Sequence, residues 1–220
     1  MVKPFTNRRD AGKRLGVRLA EVLSDKNVVV VGLPRGGVPV AYEVARILRC
    51  PLDVLVVRKV GVPLQPELAM GAIGEDGMLE VEPATAKRFS VTDVQFERVV
   101  ADERVTLENR VRLYRESVPI VSLENEAVVI VDDGLATGAT AHVACTVARA
   151  RGSTRVVVAV PVTSVAAAIR MERVADQFVS LVRADGPFAV GQWYEDFGQT
   201  SDQEVIDDLV NARNTESESE

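Results

Sequence analysis

"VVIVDDGLATGAT", residues 128–140, runs from four apolar β-branched residues into two adjacent aspartates and then into small and hydroxylated residues. A strand ending at Asp132 and Asp133 mounts two carboxylates on a rigid support, their side chains directed differently because strand residues alternate. Residues 134–140 then curl into a helix start. Free backbone N–H groups and the positive end of the helix dipole favour a dianionic phosphate there. Thr137 and Thr140 add hydroxyl donors, while Ala136, Gly138 and Ala139 keep bulk away. Two like charges side by side repel unless something lies between them, and the vicinal hydroxyls of a sugar would suit both. A sugar phosphate therefore explains the whole stretch. The bland alternative is a "DD" that ends a strand and caps a helix.

The same kind of strand recurs on either side. "NVVVVGL" (27–33), "LDVLVV" (52–57), "AVVIV" (127–131), "TRVVVAV" (154–160) and "QFVSLV" (177–182) are short β-branched runs without polar alternation. Helical patterns separate them, at about 10–23, 38–48, 138–150 and from about 164. The expected fold is α/β, a central and mostly parallel sheet with helices on both faces. Ligands of such sheets sit at the carboxyl ends of the strands, where the unusual loops fall.

Two regions break the rhythm. Residues 58–79 are rich in Gly and Pro and read as a mobile loop, closing into a hairpin at "EDG". Residues 84–125 form a helical insertion whose charged helix carries Phe96, Val100, Leu107, Val111 and Tyr114 at helical spacing. That helix either packs on its own domain or serves as a dimerisation or lid element. Residues 1–212 are expected to form a single domain, and 213–220 a disordered acidic tail.

Composition narrows the classes. At 220 residues and 47% hydrophobic content the chain can bury a real core. No apolar run approaches the roughly 18 residues of a membrane span, and the first residues lack a signal-peptide pattern, so a cytoplasmic protein without membrane partners is expected. A formal net charge of −6 argues against a nucleic-acid partner. Arg8, Arg9, Lys13, Arg14 and Arg18 read as the solvated face of a first helix. With Cys50, Cys145 and His142 as the only soft ligands, any metal should be hard and oxygen-bound.

No GxxxxGK[ST] phosphate loop occurs, and "GLPRGG" is no dinucleotide fingerprint. "VVIVDDGLATGAT" instead resembles the signature of type I phosphoribosyltransferases, which bind 5-phosphoribosyl 1-pyrophosphate (PRPP). It is most similar to the form found in the adenine enzymes. The resemblance implies that Asp132 and Asp133 hold the ribose hydroxyls and that Leu135, Ala136, Thr137, Gly138, Ala139 and Thr140 hold the 5′-phosphate. "GLPRGGVP" (32–39) resembles the pyrophosphate loop, with Arg35, Gly36 and Gly37; in many relatives one peptide here is cis. "VVRKVGVP" (56–63) is similar to the opening of the adenine enzymes' mobile loop, implying that Arg58 and Lys59 reach the pyrophosphate.

The acid that serves as base in the 6-oxopurine enzymes is replaced by Ala136, and the resemblance to the adenine branch points to Glu75 instead, with Glu67 a weaker candidate. "DGPFAVGQWYEDF" (185–197), within a C-terminal hood at 183–200, resembles the hypoxanthine-guanine enzymes. It implies base contacts from Phe188, Ala189 and Trp193, and Mg²⁺ held by Asp132, Asp133 and Glu195 or Asp196. Trp193 and Tyr194 could equally be hood core. Arg35, Lys59, Glu75 and Asp133 are the implied catalytic set. PRPP, pyrophosphate and a nucleobase-like acceptor are the implied small-molecule partners, and a homodimer is the implied assembly. The rival is a non-catalytic PRPP sensor of the same fold; a metal phosphohydrolase ranks behind both.

Overall fold

Val, Ile and Ala dominate the three central strands of the main sheet because both of its faces are covered there. The computed structural model describes residues 5–24, 27–75 and 77–217. In chain order the elements are α1 (Arg8–Val22), β1 (Val28–Gly32), α2 (Gly37–Leu48), β2 (Leu52–Val54), β3 (Val57–Val62), β4 (Gln65–Gly74) and β5 (Leu79–Val81). There follow α3 (Pro83–Arg88), α4 (Asp93–Arg115), β6 (Ala127–Val131), α5 (Ala139–Ala150), β7 (Arg155–Ser164), α6 (Val165–Val174), β8 (Gln177–Ala184) and α7 (Asp202–Ser217). A 3-10 turn spans Val190–Trp193.

The main sheet has strand order β2-β1-β6-β7-β8, and all its pairs are parallel. Successive residues point to opposite faces. Val28, Val30, Val129 and Val131 pack in one core with α1, α2 and α7, whereas Val29, Val31, Val128 and Ile130 pack in a second core with α5 and α6. The alternation is real, but apolar residues on both faces hide it in the sequence. The chain proceeds from β1 outward to β2 and later returns to the other side of β1 as β6. The connection thus reverses direction between β1 and β6, and the crevice beyond their carboxyl ends is where an open α/β sheet binds ligands.

Residues 58–79 are ordered as an antiparallel sheet, β3-β4-β5. A hairpin at Glu75 and Gly77 joins β4 to β5, with Asp76 outside the described residues; a second turn at Pro63 and Leu64 joins β3 to β4. In the insertion, Val100, Leu107 and Tyr114 of α4 are buried in the same core as Val60 and Met70 of the small sheet. The apolar stripe of α4 is therefore used within the chain. Thr92 and Gln95 start this helix with a reciprocal capping box.

The expected disordered tail is corrected for residues 213–217, which continue α7; residues 218–220 lie outside the described residues. α7 is anchored by Val205 and Leu209, both fully buried. Its start is fixed by Ser201, whose Oγ accepts from the Glu204 amide (3.1 Å) while Glu204 Oε2 accepts from the Ser201 amide (2.7 Å). Among the described residues no helix is long and apolar enough to cross a membrane.

Candidate active site

Gly32 and Val131 are register partners at the ends of β1 and β6, so the loops that follow, 33–37 and 132–138, leave the sheet side by side. The Leu33 amide donates to the Val131 carbonyl at 2.9 Å and carries the contact one residue further. The first loop contains a cis peptide between Pro34 and Arg35. Its two glycines permit an approach that no other residue could make. A Cβ on Gly36 would lie 2.1 Å from Asp133 Oδ2, and one on Gly37 would lie 2.6 Å from the Val131 carbonyl oxygen. The structure thus brings Gly36 and Gly37 against Asp132 and Asp133.

The second loop turns into α5 through Gly138, whose φ of 73° is the left-handed conformation that glycine adopts without penalty. The Thr137 hydroxyl accepts from the Ala139 amide at 3.3 Å, tightening the turn into the helix. The first intrahelical bond to a residue before α5 is that of the His142 amide to the Gly138 carbonyl, so the amides of Thr140 and Ala141 face outward at the positive end of the dipole. Leu135 is corrected: its amide donates to the Val162 carbonyl and its carbonyl accepts from the Ser164 amide, both at 3.0 Å. Its backbone is spent on β7, and the cradle begins at Ala136.

The two carboxylates differ in their surroundings. Asp132 Oδ1 accepts the Asp133 amide at 2.8 Å, and burial followed by the charge of Asp133 pushes its pKa well above the usual carboxylate range. Asp133 is raised chiefly by burial, against the pull of Arg8, whose Nε donates to Oδ2 at 2.8 Å. The Asp133 carbonyl accepts the Tyr194 hydroxyl at 2.5 Å. Burial and then the Asp133 charge raise the Tyr194 pKa, keeping that hydroxyl a donor.

Arg8, expected on a solvated face, is instead a member of the site. Its side chain is 13% exposed, and its guanidinium donates through Nη1 to the Gly198 carbonyl at 2.6 Å and stacks 3.9 Å from the centroid of the Phe197 ring. Arg9 pairs with Asp208 but stays exposed, as do Lys13, Arg14 and Arg18.

The other expected residues divide. Arg35 extends toward Asp202 at the start of α7, 3.6 Å away. Arg58 bonds Glu103 of α4 at 2.7 Å and is not directed at the acid pair; Lys59 sits opposite Ala72 in the β3–β4 ladder. Glu75 is corrected as the acceptor base. Its carboxylate is 2% exposed and is gripped by Arg115 and by Arg151, each at 2.9 Å. Arg151 ends α5, and a helix of 12 residues is about 18 Å long, so Glu75 is bound at the end of α5 opposite the cradle. Of Glu67 the side chain lies outside the described residues.

In the hood, Phe188 and Trp193 pack with Phe5, Val162, Val182 and Tyr194 as its core, while Ala189 is exposed and its carbonyl accepts the Gln192 amide. Glu195 and Asp196 donate their amides to Phe5 and Thr6, joining the hood to the start of the chain. Glu195 does not complete a metal triad with Asp132 and Asp133. No group of three His, Cys, Asp or Glu side chains converges among the described residues.

Comparison with known proteins agrees with this geometry. Residues 7–191 match the phosphoribosyl transferase domain. A Mycobacterium tuberculosis H37Rv protein that bears the name of a phosphoribosyl transferase is 49% identical over 205 residues, covering 93% of this chain and 46% of that protein; its counterpart in strain CDC 1551 gives the same values. The chain thus spans about half the length of the curated relatives it matches. The crystal structure of TT1426 from Thermus thermophilus aligns with a TM-score of 0.87 at 43% identity, covering 94% of this chain and 98% of the other. With its signature strand, its parallel sheet and this match over most of its length, the chain belongs to the phosphoribosyl transferase domain family.

Proposed function

We propose that the protein is a phosphoribosyltransferase that uses Mg-PRPP to transfer a 5-phosphoribosyl group to a nitrogen nucleophile of the nucleobase class, releasing pyrophosphate. One observation carries the reading: two vicinal carboxylates at the switch point stand beside a helix start whose amides have no intrahelical partners. The 5′-phosphate seats on the outward amides at the start of α5, those of Thr140 and Ala141 among them, with the hydroxyls of Thr137 and Thr140. The ribose hydroxyls donate to Asp132 and Asp133. The loop of Gly36 and Gly37 then lies beside the anomeric carbon, and its backbone receives the departing pyrophosphate while positive charge grows on the ring.

Mg²⁺ suits this oxygen donor set, because two crowded carboxylates with raised pKa values are relieved by a dication and Mg²⁺ takes few protein ligands. It supplies neutralisation of pyrophosphate charge. No side chain is assigned as acceptor base, since Glu75 is committed elsewhere.

That commitment favours a second reading, a PRPP-binding regulator without turnover. The test is pyrophosphate release from Mg-PRPP across a panel of nucleobases, alongside calorimetric PRPP binding. Release with one base supports the transferase, binding without release under any base supports the regulator, and absence of binding rejects both.

The glycine pair gives a sharper expectation. Gly36→Ala drives a methyl into the Asp133 carboxylate and its Arg8 partner, so PRPP affinity of the folded variant should fall about tenfold or more. Gly37→Ala meets backbone at 2.6 Å and should instead lower stability by about 1–3 kcal/mol, seen in urea denaturation.

A further inference from the structure

We propose that Arg8 is a positioning residue for sugar binding, locking the hood exit onto the ribose-binding carboxylate; the inference rests on the reading of Asp133 given above. Arg8 lies 125 residues from Asp133 in sequence, yet it fills the space between that acid and the hood. Its Nε–H points at Asp133 Oδ2, its Nη1–H points at the Gly198 carbonyl, and its plane lies on the ring of Phe197. Phe197 in turn stacks on Tyr194 with centroids 4.9 Å apart, and the Tyr194 hydroxyl bonds the Asp133 carbonyl. Asp133 is thus held through its carboxylate by Arg8 and through its backbone by Tyr194. Both holders are tied to one another through Phe197.

Helix energetics make the placement informative. Arg8 is the first residue of α1, where the helix dipole opposes a cation, and the first turn carries Asp10 as partial compensation. Residues that break a local rule in a folded chain are found where function needs them. A guanidinium is also the one cation able to donate in two directions while lying flat on an aromatic ring. The consequence is a division of labour. Arg8 fixes the carboxylate that meets the sugar through a direct bond, whereas toward the loop of Gly36 and Gly37 it only packs beside Gly36.

The experiment compares the affinities of wild type, Arg8→Ala and Arg8→Lys for Mg-PRPP, for ribose 5-phosphate and for Mg-pyrophosphate by calorimetry. Expected for Arg8→Ala is a tenfold to hundredfold loss for PRPP and ribose 5-phosphate, with pyrophosphate affinity changed less than threefold. Should Arg8→Ala fail to fold, Arg8→Lys must still weaken the sugar ligands severalfold and spare pyrophosphate. Equal loss for all three ligands, or no loss for the sugars while wild type binds PRPP, overturns the role of Arg8 and leaves the functional reading in place. Failure of wild type to bind PRPP removes that reading, and the Arg8 proposal falls with it.

Discussion

Asp132→Asn combined with Asp133→Asn should lower the affinity for Mg-PRPP by more than about a hundredfold, because two charge-assisted hydrogen bonds to the sugar, each worth about 1.5–3 kcal/mol, lose their ionic acceptor. The double variant also takes the charged partner from Arg8, so its binding is read at a temperature where it is folded, whereas the single Asp132→Asn variant leaves the Arg8–Asp133 pair intact and should be more stable than wild type. Asp132 is raised by burial and by its neighbour's charge, so the folded state holds its proton more tightly than the unfolded chain does. Between the unfolded value of about 3.9 and the raised folded value, the native state binds more protons, and stability falls as pH rises through that interval. Wherever Asp132 is ionised beside Asp133, the pair therefore costs stability. Asp132→Asn removes this cost and should raise Tm, with a flatter stability profile across the acid range. Calorimetry for binding and thermal melts from pH 3 to 8 check both halves. Retained PRPP affinity in the double variant would remove the basis of the proposed function.

How much of this was legible depends on how local the determining interactions are. The parallel sheet was readable because strands buried on both faces must be β-branched throughout, and the cradle was readable because strand, acids and helix start are contiguous in residues 128–140. α7 was missed since its buried anchors reduce to Val205 and Leu209, yet Ser201 and Glu204 form an S-x-x-E capping signal that could have marked its start. The role of Arg8 was not legible: its partners lie 125 and 190 residues away, and among five basic residues nothing local singles it out. Glu75 failed for the same reason. Its neighbourhood matches a loop position, but its chemistry is set by Arg115, 40 residues further on, and by Arg151.

Glu75→Ala should therefore act on stability, lowering it by about 3–5 kcal/mol, because removing one member of a buried ion cluster leaves the others charged without compensation. Glu75 sits where the β4–β5 turn, the end of α4 and the end of α5 converge. Arg115 joins them by donating to both Glu75 oxygens and, through Nη1, to Asp53 Oδ1 at 2.6 Å. Asp53 in turn accepts the Val121 amide at 2.9 Å, fixing the return of the insertion to the sheet. Loss of Glu75 strands part of the Arg115 charge and that of Arg151, so urea denaturation should show a lower midpoint, and Tm should drop by about 6–20 °C. Glu75→Gln keeps an acceptor oxygen while losing the charge, and its cost should be about half as large. At a temperature where Glu75→Gln is folded, turnover should stay within severalfold of wild type. A general base contributes about a hundredfold or more, so a loss of that size in a folded Glu75→Gln variant would return Glu75 to the chemistry and overturn its assignment as a structural clamp.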